Sequence, residues 1–231
     1  MLKLNSYDNF LFESISFSLE KGKNIVILGS NGAGKTTLAK VLSGIIENGN
    51  VTIEDEKLNT LWGEERSKRI NYIPTKLEIF DEYLSVKEFL SLSHFKKDIS
   101  IEVVLGKLDI LYLKDKPCKS LSSGESQLVL IAGSILQGSD FTIFDEIVSN
   151  LDPQRQKQVF ELFKNGDHLS SKIIITHNLD FAYKLGFDIL FMQKGEIVFE
   201  GSNEEFFDQK NLDTIFQNSV KKYENHIVVD L

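Results

Sequence analysis

The sequence predicts an α/β fold built on a parallel sheet, with a helical lobe inserted into it. Three observations carry this reading. Short, continuous apolar runs rich in β-branched residues stand at positions 25–28, 141–144 and 172–176, as expected of strands buried on both faces. Helical periodicity separates them, at 36–43, 85–92 and 126–136. The stretch from 76 to 136 keeps mostly helical periodicity and holds no convincing strand, so it reads as a lobe outside the sheet. We therefore expect one domain over 1–231, with a core of about 1–75 and 139–231 and a lobe of about 76–138.

Taken in order, residues 10–19 alternate loosely between apolar and polar and end at the Lys21-Gly22 turn, which reads as an early strand in a small N-terminal antiparallel part. The run at 25–28 is the first buried strand, and 70–73 is a further one. Residues 189–192 and 197–200 flank Lys194-Gly195 as a closing hairpin, and 211–229 read as a helix followed by a strand.

The bulk properties narrow the function. A chain of 231 residues, 42% hydrophobic and 26% charged, has room for one well-buried core. A net charge of -8 and a pI near 5.1 argue against a nucleic-acid partner, because neutralising phosphates takes a basic face. The basic pairs Lys96-Lys97 and Lys221-Lys222 are too short to supply one. Cys118, the single cysteine, cannot form an internal disulfide and offers no zinc spacing, which fits a reducing compartment. The opening MLKLNSYDNF lacks the basic-then-apolar pattern of a secretory signal. No apolar run approaches the roughly 18 residues of a membrane helix, so we expect any membrane association to come through a partner.

The strand at 25–28 runs into GSNGAGKTT and then into a helical pattern, LAKVLSG. This is the strand, loop and helix context that the phosphate-binding motif GxxxxGK[ST] requires, and it predicts a P-loop NTPase with a RecA-like core. Gly29, Gly32 and Gly34 let the backbone curl so that the N–H groups of Ser30, Asn31, Ala33 and their neighbours point at phosphates, helped by the positive end of the helix. Lys35 supplies a mobile charge, the Thr36 hydroxyl is placed to ligate Mg²⁺, and Thr37 completes the loop. A Gly-rich turn before an ordinary helix is the bland alternative. GTPases share the loop but also need DxxG and NKxD, and neither string occurs, so ATP is the expected nucleotide.

FTIFDE is an apolar strand ending in two carboxylates. Downstream of a phosphate loop, Asp145 can hold Mg²⁺ through water and Glu146 can polarise the attacking water. Alone, the string would more often describe a buried strand followed by solvated acids. Ser122, Ser123, Gly124 and Glu125 likewise admit two readings that can both hold. S-x-x-E before LVLIAGSIL is a capping box, and a capped helix N-terminus beside a glycine is also an anion site.

In order, GSNGAGKTT, LSSGE at 121–125, FTIFDE, SNLD at 149–152 and ITH ending at His177 resemble the ABC ATPase family over nearly the whole chain. The resemblance implies an ATP-hydrolysing subunit that pairs head to tail with a second one, most simply an identical chain. It places this pair in the cytoplasm, peripheral on the inner face of the cell membrane beneath a separate integral membrane permease. By position it implies that Ser122 and Gly124 contact the partner's ATP, that Asp152 lies at the seam of the pair, and that His177 holds the γ-phosphate and orients the water. The family also stacks adenine on an aromatic residue near the first strand, for which Tyr7 is the candidate and Phe10 the alternative.

Two departures stand out. Asn71 to Thr75 reads NYIPT where the family usually has Tyr-x-Pro-Gln, so Thr75 replaces a glutamine that touches the Mg²⁺ site and the membrane partner. The Thr hydroxyl is shorter and reaches the same water only if the loop comes closer. LSSGE replaces the commoner LSGGQ, with Ser123 tolerable if its backbone needs no positive φ. The segments at 84–95 and 211–229 are similar to those of importers of iron chelates, haem or cobalamin. A soluble ABC ATPase for protein or iron-sulfur cluster assembly, and a hydrolysis-impaired scaffold, are the competing readings. Retention of Lys35, Asp145, Glu146 and His177 speaks against the last.

Overall fold

A computed structural model describes residues 1–46, 50–79, 81–96, 98–166 and 168–229. Lys97, from the basic pair noted above, lies outside the described residues. The chain opens with β1 (Leu2–Tyr7) and β2 (Ile15–Leu19), passes through β3 (Ile25–Gly29) and α1 (Lys35–Leu42), and returns as β4 (Val51–Ile53) and β5 (Glu56–Lys57). These build an antiparallel sheet of order β2-β1-β4-β5. The early strand expected at 10–19 begins only at Ile15. Before it, Asn9 Oδ1 accepts from the N–H groups of Leu11 (2.7 Å) and Phe12 (2.8 Å), and Asp8 Oδ1 accepts from that of Ser14 (2.7 Å). Such side-chain turns outcompete a weak alternation, and they fold residues 8–14 into a loop.

Next come α2 (Gly63–Arg69) and β6 (Ile70–Ile73), then the helices α3 (Val86–Leu92), α4 (Ile101–Lys107) and α5 (Ser123–Gln137). Among the described residues of 76–138, β-type pairing is confined to an isolated bridge between Ser85 and Pro117. The chain then alternates β7 (Phe141–Asp145), α6 (Pro153–Asn165), β8 (Ser171–Ile175) and α7 (Leu179–Leu185), and closes the sheet with β9 (Asp188–Gln193) and β10 (Glu196–Gly201). The second sheet has the order β10-β9-β3-β8-β7-β6, parallel throughout except for the edge strand β10, which forms the expected hairpin with β9.

The continuous apolar runs are explained by two cores. Ile25 and Ile27 of β3, Phe141 and Ile143 of β7, and Ile173 and Ile175 of β8 face α1 and the N-terminal sheet. The intervening Val26, Leu28, Phe144 and Ile174 face the lobe, α6 and α7. A strand covered on both sides needs apolar residues at every position. Phe144 packs on Phe163 of α6 at 4.7 Å between ring centroids, and truncating either ring would cost about 3–5 kcal/mol.

The end of the chain carries α8 (Asn203–Phe206), α9 (Gln209–Phe216) and a hairpin of β11 (Val220–Tyr223) and β12 (His226–Val229), where a helix and a single strand were expected. The hairpin is anchored by buried Val220 and Ile227 and by the Ile227 N–H donating to Asp180 Oδ1 (3.0 Å). Among the described residues, no helix is long and apolar enough to cross a membrane.

Because the strands of the second sheet run in one direction from β6 to β9, the segments after β3, β6, β7 and β8 emerge along one edge. Asp145 sits opposite Ile175, and Ile175 opposite Ile27. The carboxyl edge of such a sheet is where open α/β folds bind their ligands.

Candidate functional site

The loop after β3 depends on two of its glycines for physical reasons. Gly29 has a φ of 153° and passes so close to β9 that a Cβ there would overlap the Met192 carbonyl oxygen. Gly34, at φ 103°, caps α1 without a side chain, and a Cβ would run into the Phe12 ring at 2.6 Å. The loop is tied to the β9–β10 turn by the Gly195 N–H, which donates to the Ala33 carbonyl (3.1 Å). The first N–H groups of α1 have no partner within their own helix, and the helix dipole adds to their pull on an anion.

Lys35 is only 8% exposed, and its Nζ folds back to donate to the carbonyls of Gly29 (2.8 Å) and Ser30 (3.1 Å). Burial lowers its proton affinity, while the nearby Glu146 and Asp145 carboxylates oppose that shift. Both present acceptors are neutral carbonyls, which a phosphate oxygen outbids through a charge-assisted bond. A cavity of ≈ 530 Å³ is lined by Asn31, Gly32, Ala33, Gly34, Lys35, Thr36 and Thr37 together with Glu146, Phe10 and Leu11. A neighbouring cavity of ≈ 500 Å³ contains Asp145, Tyr72, Thr75 and Lys40 and shares Thr36 with the first. The structure thus gathers the loop and both acids around one point.

Asp145 ends β7 almost fully buried. Its Oδ2 accepts a hydrogen bond from the Tyr72 hydroxyl (2.8 Å), and its Oδ1 is buried with no hydrogen-bond partner among the described residues. Burial, with the Asp145 charge second, pushes ionisation of the Tyr72 phenol far upward, so the phenol remains a donor. The Thr75 hydroxyl donates to the main-chain carbonyl of Asp145 (3.1 Å), and buried Gln127 of α5 reaches the Thr75 carbonyl (3.4 Å). Thr75 therefore braces the protein backbone here.

Glu146 adopts a φ of 53°, a left-handed conformation that costs a non-glycine residue about 1–3 kcal/mol and tends to mark working sites. Its N–H bonds to the Ile175 carbonyl (3.0 Å), and its own carbonyl accepts from both the N–H (3.1 Å) and the hydroxyl (2.8 Å) of Ser149. Two residues beyond β8, His177 brings Nδ1 to 2.9 Å from Glu146 Oε2 with its side chain 65% exposed, and Oε2 is buried without a hydrogen bond among the described residues. The Asn178 side chain caps α7 just beyond, holding the turn that presents the imidazole.

The Ser122 capping box is formed on both sides. Its hydroxyl accepts from the Glu125 N–H (3.2 Å), and Glu125 Oε2 accepts from the Ser122 N–H (2.8 Å). Ser123 is the first helical residue of α5, so the substituted serine needs no positive φ. Gly124 packs against the Asn150 carbonyl, and Asp152 caps α6 through the Arg155 N–H (3.0 Å). Neither Ser122 nor Gly124 lines the cavities around the phosphate loop, so within one chain they stand apart from it. Tyr7 is turned onto Phe12, 6.2 Å between ring centroids, whereas Phe10 is 96% exposed and lines the loop cavity. Tyr72 was legible only as the tyrosine of the NYIPT segment, because its bond to Asp145 depends on β6 pairing beside β7.

The residues present fit a magnesium ion. The described residues hold no cluster of three or more acidic, histidine or cysteine ligands. The Thr36 hydroxyl and the unpartnered Asp145 Oδ1 instead form the sparse, hard-oxygen set of an ion that keeps several waters and shares phosphate oxygens.

Comparison with known proteins gives a consistent picture. Residues 12–149 match the family model described as "ABC transporter". An energy-coupling factor transporter ATP-binding protein of Fusobacterium nucleatum is 30% identical, with 99% of this chain and 91% of the relative covered. A petrobactin import ATP-binding protein of Bacillus subtilis is 27% identical, covering 91% and 88%. A Clostridium tetani relative, 32% identical, is longer, and the match spans 45% of its length. Among solved structures, a cbiO1 of Clostridium perfringens, part of the ABC transporter complex cbiONQ, superposes with a TM-score of 0.74 at 23% identity over 94% of both chains.

Proposed function

Since this chain belongs to the ABC transporter family, we propose that it is the ATP-binding and ATP-hydrolysing subunit of a transporter, working as one ATPase domain over 1–231 with a core of 1–75 and 139–231 and a lobe of 76–138. The observation that carries the reading is the convergence of Lys35, Thr36 and Glu146 on one cavity with Asp145 beside it.

In this reading the backbone from Gly29 to Thr37 wraps the β- and γ-phosphates, and Lys35 moves from the Gly29 and Ser30 carbonyls to phosphate oxygens. Phe10 stacks on the adenine, in preference to Tyr7, because only Phe10 lines the loop cavity. Thr36 and Asp145 hold Mg²⁺, which when bound neutralises charge on the phosphate oxygens. Glu146 accepts a proton from water as its oxygen bonds to the γ-phosphorus and the bond to ADP breaks. His177, within ion-pair range of the Glu146 carboxylate, donates to the γ-phosphate and orients the attacking water. Charge on the transferring group is met by Lys35 and the loop amides.

By their position in the family's pattern we assign Ser122 and Gly124, which lie away from this cavity, to the ATP of a second, identical subunit, with Asp152 at the seam. An integral membrane permease is the other partner, and the place of work is the cytoplasmic face of the cell membrane. For the cargo we propose an iron chelate, haem or cobalamin, supported by the likeness of 84–95 and 211–229 to such importers; the membrane subunits would select it. The test is retention of labelled ATP beside phosphate release from the full chain. Wild type should do both and Glu146→Gln only the first; a wild type that binds no ATP would overturn the reading.

A further inference from the structure

We infer that Tyr72 is the positioning residue that decides which carboxylate oxygen of Asp145 meets the divalent cation, an inference that rests on the nucleotide-site reading above. The two oxygens of a carboxylate are chemically equivalent, and the terminal torsion of an aspartate is soft and two-fold, so something must break the symmetry if one oxygen is to be kept for a ligand. Here the Tyr72 hydroxyl does so. It donates to Oδ2 at 2.8 Å and leaves Oδ1 as the buried oxygen without a partner. A buried anionic oxygen left unpaired is costly, so it is poised for a cation.

The arrangement is rigid because of how the strands pair. Tyr72 and Asp145 sit on adjacent parallel strands, with Tyr72 opposite Ile143 and Ile73 opposite Phe144 in the register. The hydroxyl therefore crosses from β6 toward the end of β7. Three residues on from Tyr72, Thr75 ties the same strand end down by donating to the Asp145 carbonyl (3.1 Å), so one segment fixes both the main chain and the side chain of Asp145. A donor that holds the ligating carboxylate orients it and sharpens its affinity without touching the metal itself.

The experiment titrates Mg²⁺ against retention of labelled ATP by the full chain carrying Glu146→Gln, with and without Tyr72→Phe, and repeats the binding in EDTA. Tyr72→Phe should raise the Mg²⁺ concentration for half-maximal retention roughly ten- to hundredfold and leave metal-free ATP binding within about twofold. In an Asp145→Asn background the same substitution should produce no further shift, since the tyrosine acts only through that carboxylate. Equal weakening in EDTA, or a shift that persists with Asp145→Asn, would reduce Tyr72 to packing. A Mg²⁺ response that Tyr72→Phe does not move would overturn this inference alone, whereas wild-type retention indifferent to Mg²⁺ would overturn the nucleotide-site reading beneath it. Thermal melting of each variant keeps misfolding apart from these outcomes.

Discussion

The Nδ1 of His177 lies 2.9 Å from Oε2 of Glu146, bringing the second residue after β8 within ion-pair range of the residue after β7. Oε2 is buried and accepts no hydrogen bond among the described residues, so the acid that lines the loop cavity remains uncommitted. If Glu146 is the base, its amide analogue keeps the shape and loses the proton acceptor. Glu146→Gln should lower ATP turnover roughly 10²- to 10⁴-fold, with ATP retention unchanged. Single-turnover phosphate release measures the first and equilibrium binding the second.

Lys35 is predicted to fail differently. Its ammonium group is buried against two loop carbonyls, and among the described residues lining the loop cavity it is the one lysine or arginine. Lys35→Ala should weaken ATP binding at least tenfold as well as abolish turnover, since a charge-assisted bond of about 1.5–3 kcal/mol is lost. A binding isotherm identical to wild type would remove Lys35 from phosphate recognition.

The two aromatic candidates separate cleanly. Phe10→Ala should weaken ATP binding by about 1–3 kcal/mol, roughly 5- to 150-fold, with little effect on folding, because the ring is 96% exposed. Tyr7→Ala should lower the melting temperature, because its ring packs on Phe12, and should leave nucleotide affinity close to wild type. The opposite pattern would return Tyr7 to the adenine.

Glu125 links stability to pH. Its carboxylate accepts the Ser122 N–H, which holds its proton affinity below the usual 4.5, with Lys116 adding a weaker pull. A carboxyl whose pKa is lowered on folding stabilises the protein above its unfolded pKa and loses that contribution as pH falls through the folded value. Glu125→Ala should therefore cost about 1 kcal/mol near neutral pH, and the gap to wild type should narrow below about pH 4.5. Melting curves across that range decide it, and a gap that stays constant would leave only a neutral cap.

How far the sequence could be read depended on how local each feature was. The phosphate loop is contiguous, and its strand and helix announce themselves on either side, so Gly29 to Thr37 could be placed residue by residue. The same holds for the capping box at Ser122, whose partner is three residues away. The beginning of β2 was misjudged because Asp8 and Asn9 close turns that a loose apolar alternation does not reveal. The choice between Tyr7 and Phe10 depended on the shape of that same loop. The hydrogen bond from Tyr72 to Asp145 spans 73 positions and exists only because β6 and β7 pair in parallel. Ser122 and Gly124 remain apart from the loop in one chain, which is why their proposed role belongs to a pair of subunits.

The central claim is that ATP is hydrolysed at a site completed by two copies of this chain, and steady-state phosphate release with Mg-ATP over a wide range of protein concentration tests it most directly. The specific rate should rise cooperatively with concentration in the wild type and be lost in Glu146→Gln. A specific rate independent of concentration, or one that survives in Glu146→Gln, would contradict the account.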